Sequence, residues 1–100
     1  MTFKVRVTPI ARDMIAEIKK PERKTILNRI RGLENDPEKQ GSPLTSDLSE
    51  YRSLHVAGRY RAIYRVNKSE IEVLVIAVGI RKEGDKSDFY VLVKKLLDLV

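Results

Sequence analysis

Four arginines lie close together in the middle of this 100-residue chain, in a segment without acids, residues 51–66. The whole chain has 20 basic and 14 acidic residues, which gives a net charge of +6. Four of the basic residues lie in this segment. Guanidinium groups repel one another unless an anion lies between them, and their forked N–H donors match phosphate oxygens. The segment therefore predicts a phosphate site, unless its arginines pair with acids of the preceding loop, 36–50. The four residues are Arg52, Arg59, Arg61 and Arg65.

Composition excludes several other kinds of chemistry. The chain has no cysteine, which removes disulfides, thiol catalysis and cysteine-ligated metals. His55 is its single histidine, so a histidine-rich metal site is excluded, and we expect neither a metal nor another cofactor. With 42% hydrophobic and 34% charged residues, the chain is typical of one globular domain over residues 1–100.

Hydropathy predicts no membrane partner. Met1 leads directly into alternating apolar and basic residues, without the apolar core of a signal peptide. The longest apolar run, Val73–Val78, is far shorter than the ~20 residues that span a bilayer. We therefore expect a cytoplasmic protein.

The first half of the chain carries the patterns of one strand and two helices. Apolar and basic residues alternate over 3–7, which is the period of a strand. Thr8 followed by Pro9 predicts the start of a helix, and Pro21 suits the first turn of a second helix. Residues 37–50 are rich in Pro, Gly, Ser and Asp and predict a loop.

The second half predicts three strands and a closing helix. The strands are expected over 51–56, 59–66 and 71–80, and the third is apolar enough to be covered on both faces. The apolar residues of 88–100 recur at helical spacing and form one stripe, which predicts a short helix. The predicted fold is thus α+β, with the order β-α-α-β-β-β-α. An antiparallel sheet, made of the N-terminal strand and a three-strand meander, is covered on one face by an αα-hairpin.

The turn between the first two strands of the meander decides which side chains share a face. With a two-residue turn at Ala57-Gly58, the four arginines project together, whereas His55, Tyr60 and Tyr64 point to the opposite side. We expect both tyrosines to be core residues. A one-residue bulge would invert part of this assignment.

Three segments of the chain resemble the RelE/ParE superfamily of bacterial toxin–antitoxin toxins. They are Leu48–Arg52 (LSEYR), Val56–Arg65 (VAGRYRAIYR) and Val73–Arg81 (VLVIAVGIR), and the loop Gly41–Leu44 also fits. The Tyr-Arg-x-x-Tyr strand and the Val-Gly-x-Arg ending are the most specific parts. The resemblance covers nearly the whole chain, including its order of elements.

The resemblance implies a RelE-like mRNA interferase, a small endoribonuclease that cuts messenger RNA in the ribosomal A site without a metal. In that reaction the 2′-hydroxyl attacks the adjacent phosphate and the 5′-oxygen leaves. By the resemblance, Arg61 and Arg81 hold the phosphate, Arg52 stands where the family often has a catalytic lysine, and Tyr90 matches a proposed proton acceptor. Further contacts to RNA are expected from Arg59, Arg65, Lys82 and His55.

The implied partners are the ribosome, its messenger RNA and a cognate antitoxin, which we expect to mask the basic face or displace the last helix. The sequence departs from the enzyme pattern at Leu54, where a second basic residue often precedes the turn. A bulged strand, or Arg59 and Lys82, would compensate, and Tyr90 also suits a core position. Two alternatives therefore remain: a ParE-like inhibitor of DNA gyrase that cuts no RNA, and a basic RNA-binding module without activity.

Overall fold

A five-stranded sheet with two helices packed on one side forms the protein in the computed structural model, which describes residues 2–44, 48–80 and 93–94. The elements in chain order are β1 (Lys4–Val7), α1 (Pro9–Ala16), α2 (Lys20–Arg31), a 3₁₀ turn (Gly32–Glu34), β2 (Ser42–Pro43), β3 (Tyr51–Ala57), β4 (Tyr60–Asn67) and β5 (Glu72–Ile80). The α+β class, the helical hairpin and the three-strand meander are confirmed. The closing helix predicted over 88–100 lies outside the described residues apart from Val93 and Lys94, which are helical.

The sheet is mixed, and the prediction of a purely antiparallel sheet was wrong. Its strand order is β1-β5-β4-β3-β2, and β1 runs parallel to β5, with Lys4 opposite Glu72 and Val7 opposite Val75. The helical hairpin carries the chain back across the sheet, so β3 starts in the same direction as β1. Two antiparallel hairpins then reverse the chain twice, which leaves β5 parallel to β1 when it reaches that strand.

The loop predicted over 37–50 contains a short strand that the sequence did not indicate. β2 pairs antiparallel with β3, with Ser42 opposite Ser53 and Pro43 opposite Arg52. Proline is tolerated here because β2 is an edge strand, where one side of the backbone donates to no neighbour.

Helix α1 follows β1 directly. β1 pairs with β5, and α1 packs against the same strand. The hydroxyl oxygen of Thr8 accepts a hydrogen bond from the Ala11 amide at 3.1 Å and donates one to the Ile76 carbonyl at 3.2 Å. The side chain thus caps the helix and ties its first turn to β5, with Pro9 at the first helical position.

The sheet buries apolar residues on both faces, as predicted for the apolar third strand. On the helix-covered face, Ala11, Ile15, Ile26 and Ile30 pack against strand residues that include Leu54, Ala62, Tyr64, Val75 and Val78. The other face, here called the distal face, carries a smaller cluster of Tyr51, Ile63, Ala77 and Val93. The two clusters fix which way each strand residue points.

Tyr64 holds the loop that follows the helices against the sheet. Its side chain is fully buried, and its hydroxyl lies 2.8 Å from the Pro37 carbonyl and 2.7 Å from that of Gln40. Burial raises the pKa of the Tyr64 phenol, so the group stays protonated and donates its single hydrogen to these carbonyls. The side-chain amide of Gln40 in turn donates to the carbonyls of Gly32 and Asn35.

Two glycines of this region make a matched pair for a stability measurement. Gly41 has φ +62°, and an added Cβ would lie 2.4 Å from the Ser53 carbonyl oxygen, whereas Gly32 has open space and a helical φ of −61°. We expect Gly41→Ala to lower the free energy of unfolding by at least about 2 kcal/mol, because left-handed backbone alone costs roughly 1–2 kcal/mol. Gly32→Ala should leave it unchanged or raise it by up to about 1 kcal/mol. Denaturant unfolding of both variants checks this, and equal effects would contradict it.

Candidate nucleic-acid interface

The β3–β4 hairpin turns one residue later than the sequence predicted. Gly58 and Arg59 form the turn, Ala57 lies opposite Tyr60, and the register shifts by a bulge between His55 and Ala57. The predicted turn at Ala57-Gly58 was therefore wrong. Gly58 adopts φ +49°, which permits the tight reversal.

This register brings His55 and Arg61 together. The two residues are direct Cα partners, so their side chains share the distal face. His55 was predicted to point to the opposite side, and that assignment was wrong because the hairpin contains the bulge. Arg61 also lies opposite Gly79 of β5, a residue without a side chain.

Arg52 lies on the other side of the sheet from Arg61. It is the partner of Tyr64, and its Nε donates to the Gln40 carbonyl at 3.0 Å while a terminal nitrogen donates to the Gly41 carbonyl at 3.3 Å. The expectation that Arg52 projects together with the other arginines was wrong. Its guanidinium instead stabilises the loop that Tyr64 also holds.

The remaining two arginines of the segment occupy separate places. Arg59 lines a cavity of about 530 Å³ together with Glu17, Lys19 and Glu22 from the junction of the helices. Arg65 lies with its guanidinium 6.0 Å from the centre of the Tyr51 ring, a cation–π distance. The buried side chain of Ile63 separates Arg65 from Arg61 along the same face.

Within the described residues, none of the four arginines forms an ion pair with an acid of loop 36–50. The ion pairs there join Arg6 to Glu72 at 3.3 Å and Lys68 to Glu38 at 2.9 Å. Glu72 is the sole acid of β3, β4 and β5, and it lies at the end of β5 remote from Gly79. The charge of Arg61 is therefore not neutralised by a carboxylate of these strands.

The backbone around His55 is fixed by two contacts. A ring nitrogen, Nε2, is hydrogen-bonded to the carbonyl of Gly58 across the turn. A terminal nitrogen of Arg29 on α2 donates to the His55 carbonyl at 3.2 Å. The exposed imidazole and the half-exposed guanidinium of Arg61 thus stand on a rigid pair of strands.

Three predicted site residues, Arg81, Lys82 and Tyr90, lie outside the described residues, and their roles stay predictions. The described part of the chain contains no group of three or more His, Asp or Glu side chains placed to hold a metal ion. No helix in that part is long and apolar enough to cross a membrane.

A basic groove beside β1 was missed by the sequence reasoning. It encloses about 700 Å³ between β1 and the helical hairpin. Val7, Ile15 and the unusually exposed Leu27 line it with apolar surface, and Leu27 is 42% exposed. Three arginines from different elements line it as well, and they are Arg6, Arg12 and Arg23. The exposed Leu27 amid basic helix residues was the available signal.

Comparison with known proteins agrees with this fold. A chain of the toxin–antitoxin complex RelBE2 from Mycobacterium tuberculosis has a TM-score of 0.74 at 24% identity, over 81% of this chain and 100% of that one. The isolated RelE toxin of E. coli gives 0.70 at 14% identity, over 98% and 99%. A chain of the chromosomal ParDE system of P. aeruginosa gives 0.62 at 13%, over 81% and 98%. At these identities the likeness shows a shared fold.

The family is shown by the sequence itself. No protein with a curated description matches the chain significantly. The model of the ParE toxin of type II toxin–antitoxin systems, parDE, matches residues 5–84. This match includes β1 except Lys4, both helices and the whole meander. The chain is therefore a type II toxin–antitoxin toxin of the ParE family, within the RelE/ParE superfamily.

Proposed function

We propose that this toxin is a RelE-like endoribonuclease that cuts messenger RNA on the ribosome and thereby stops translation. One observation carries the proposal: Arg61 is half-exposed on the distal face, has no ion-pair or hydrogen-bond partner among the described residues, and stands beside His55 and Gly79. A guanidinium on a paired strand, without a carboxylate partner among the described residues and opposite a glycine, suits a phosphate of a bound RNA.

Arg61 is positioned to act on the charge that develops during cleavage. When the 2′-hydroxyl attacks, negative charge accumulates on the non-bridging phosphate oxygens, and a fixed guanidinium stabilises it without reorganisation. Arg81 is proposed as the second phosphate ligand and Tyr90 as a group near the reacting atoms, both by resemblance to the family. Arg59 lines a different cavity and Arg65 contacts the Tyr51 ring, so we assign both of them contacts to flanking RNA backbone.

A second candidate function is supported by the family match. The model that matches residues 5–84 is that of ParE, whose resemblance implies binding to DNA gyrase without cleavage of RNA. In that case Arg61 would contact the gyrase surface and no message would be cut. The two candidates therefore predict different first effects in the cell, which are cleavage of messenger RNA or loss of DNA supercoiling.

The basic groove is proposed as a site for the cognate antitoxin. The solved relatives include toxin–antitoxin complexes, RelBE2 of M. tuberculosis and RelBE of E. coli. The groove combines apolar side chains with arginines from three elements, and β1 beside it is an edge strand. A partner segment with alternating acidic and apolar residues would match this surface in charge and in hydrophobicity.

Arg61 and Arg52 form a matched pair that tests the endoribonuclease. We expect Arg61→Met to reduce cleavage on programmed ribosomes about 10²–10³-fold, the usual cost of removing one charge-stabilising donor, with little change in stability. Arg52→Met should lower the free energy of unfolding by about 1.5–3 kcal/mol, because two carbonyls lose a charged donor. Primer extension on the message and denaturant unfolding measure the two effects.

Three controls complete that experiment. Free RNA at physiological salt should be cut poorly, since net positive charge gives affinity but does not orient the 2′-hydroxyl. Intact messages together with loss of supercoiling in gyrase assays would support the ParE-like candidate instead. Full cleavage by Arg61→Met would show that the phosphate site has been misplaced.

The antitoxin site is tested by reversing charge in the groove. Arg12→Glu and Leu27→Asp should each weaken binding of the cognate antitoxin at least about tenfold, while cleavage of message is unchanged. Lys39→Glu makes a similar change of charge outside the groove and should leave binding near the wild-type value. Calorimetric titration at low and high salt provides the measurement, and equal binding by Arg12→Glu and Lys39→Glu would contradict the site.

A further inference from the structure

We infer that His55 accepts the proton of the attacking 2′-hydroxyl in the cleavage reaction. The inference rests on the proposed endoribonuclease and assigns one chemical role within it. The family resemblance gave that role to Tyr90, and the geometry of the hairpin gives it to a different residue.

The first support is position. His55 is the Cα partner of Arg61 in adjacent antiparallel strands, where facing Cβ atoms are roughly 5 Å apart. A phosphate held by Arg61 therefore lies within reach of the imidazole. His55 is exposed, so its imidazole is accessible to an RNA substrate.

The second support is the tautomer. The Gly58 carbonyl cannot donate, so the ring nitrogen that contacts it, Nε2, must carry the hydrogen. The neutral ring then presents Nδ1 as an unprotonated acceptor, and among the described residues Nδ1 has no partner. A ring held in this way is oriented by the turn and has its basic nitrogen available.

The third support is the set of charged groups nearby. Arg61 is its partner on β4, and the Arg29 guanidinium on α2 donates to the His55 carbonyl, while Arg59 in the turn lines a cavity with Glu17, Lys19 and Glu22. Arginines keep their charge at any physiological pH, and no carboxylate of β3 or β4 competes for the role. Imidazole is the side chain that titrates near neutrality, which suits a general base.

The step balances as follows. Nδ1 takes the proton of the 2′-hydroxyl while the 2′-oxygen forms a bond to phosphorus. The bond from phosphorus to the 5′-oxygen breaks, and that oxygen takes a proton from water. The products are a 2′,3′-cyclic phosphate and a 5′-hydroxyl.

The test is the pH dependence of single-turnover cleavage on programmed ribosomes, with wild type, His55→Gln, His55→Ala and Tyr90→Phe. Wild type should cleave faster as pH rises, because only the unprotonated imidazole can accept the proton of the 2′-hydroxyl. His55→Gln should be about 10²–10⁴-fold slower at pH 7.5 and should lose this rise, the usual contribution of a general base. Added imidazole should restore His55→Ala at least about tenfold, and Tyr90→Phe should keep the rise.

A matched control separates chemistry from folding. Asn67→Ala removes one side-chain bond to a turn, as His55→Ala does, since Asn67 accepts from the Glu70 amide at 3.1 Å. It should retain the wild-type rate and pH profile. The inference is overturned if His55→Gln keeps the rise with pH, or if imidazole leaves His55→Ala unchanged. If wild type cuts no message at any pH, the endoribonuclease itself is wrong, and the inference with it.

Discussion

The register of the β3–β4 hairpin is the constraint on which the assignment of the proposed phosphate site depends. Because side chains alternate across a strand, one extra residue in β3 moves the rest of that strand to the opposite face relative to β4. The bulge between His55 and Ala57 supplies this residue, so Arg61 shares a face with His55 and lies on the opposite face from Arg52. The hairpin is held in this register by burial: Leu54 and Tyr64 enter the core under the helices, while Tyr51 and Ile63 enter the smaller distal cluster.

The same residue type serves stability on one face and remains available on the other. The Arg52 guanidinium donates hydrogen bonds to the carbonyls of Gln40 and Gly41. The Tyr64 hydroxyl donates to the Gln40 carbonyl as well. These two side chains hold the loop against the sheet. Within the loop, the side-chain amide of Gln40 donates to the carbonyls of Gly32 and Asn35 at the end of the helical region. Arg61 has no such partners among the described residues. The contrast explains why the number of arginines in the segment exceeds the number that can belong to the proposed phosphate site.

Sequence patterns predicted most of the helices and strands. They failed for the β3–β4 pairing, where one bulged residue decides which face each side chain occupies. Predictions that depend on local signals are confirmed by the structure and the family match. They are the strand over 3–7, the helix start at Thr8-Pro9, the burial of Tyr64 and the family resemblance. The bulge and the Gly58-Arg59 turn were not predictable, because Ala57-Gly58 and Gly58-Arg59 are equally good two-residue turns. The parallel pairing of β1 and the strand at Ser42–Pro43 arise from tertiary contacts that no local period encodes.

The pairing of β1 with β5 also sets when a newly made toxin becomes competent. The first strand has its sheet partner 68 positions further along the chain, as the Thr8 bond to Ile76 illustrates. At the usual elongation rate of about 5–20 residues per second, that interval takes roughly 3–14 s. Until β5 is made, β1 lacks its sheet partner, and long-range pairing of this kind is the slow part of folding. Translation itself thus delays the closing of the sheet that positions Arg61, and an inhibitor already present has this time to reach the unfinished toxin.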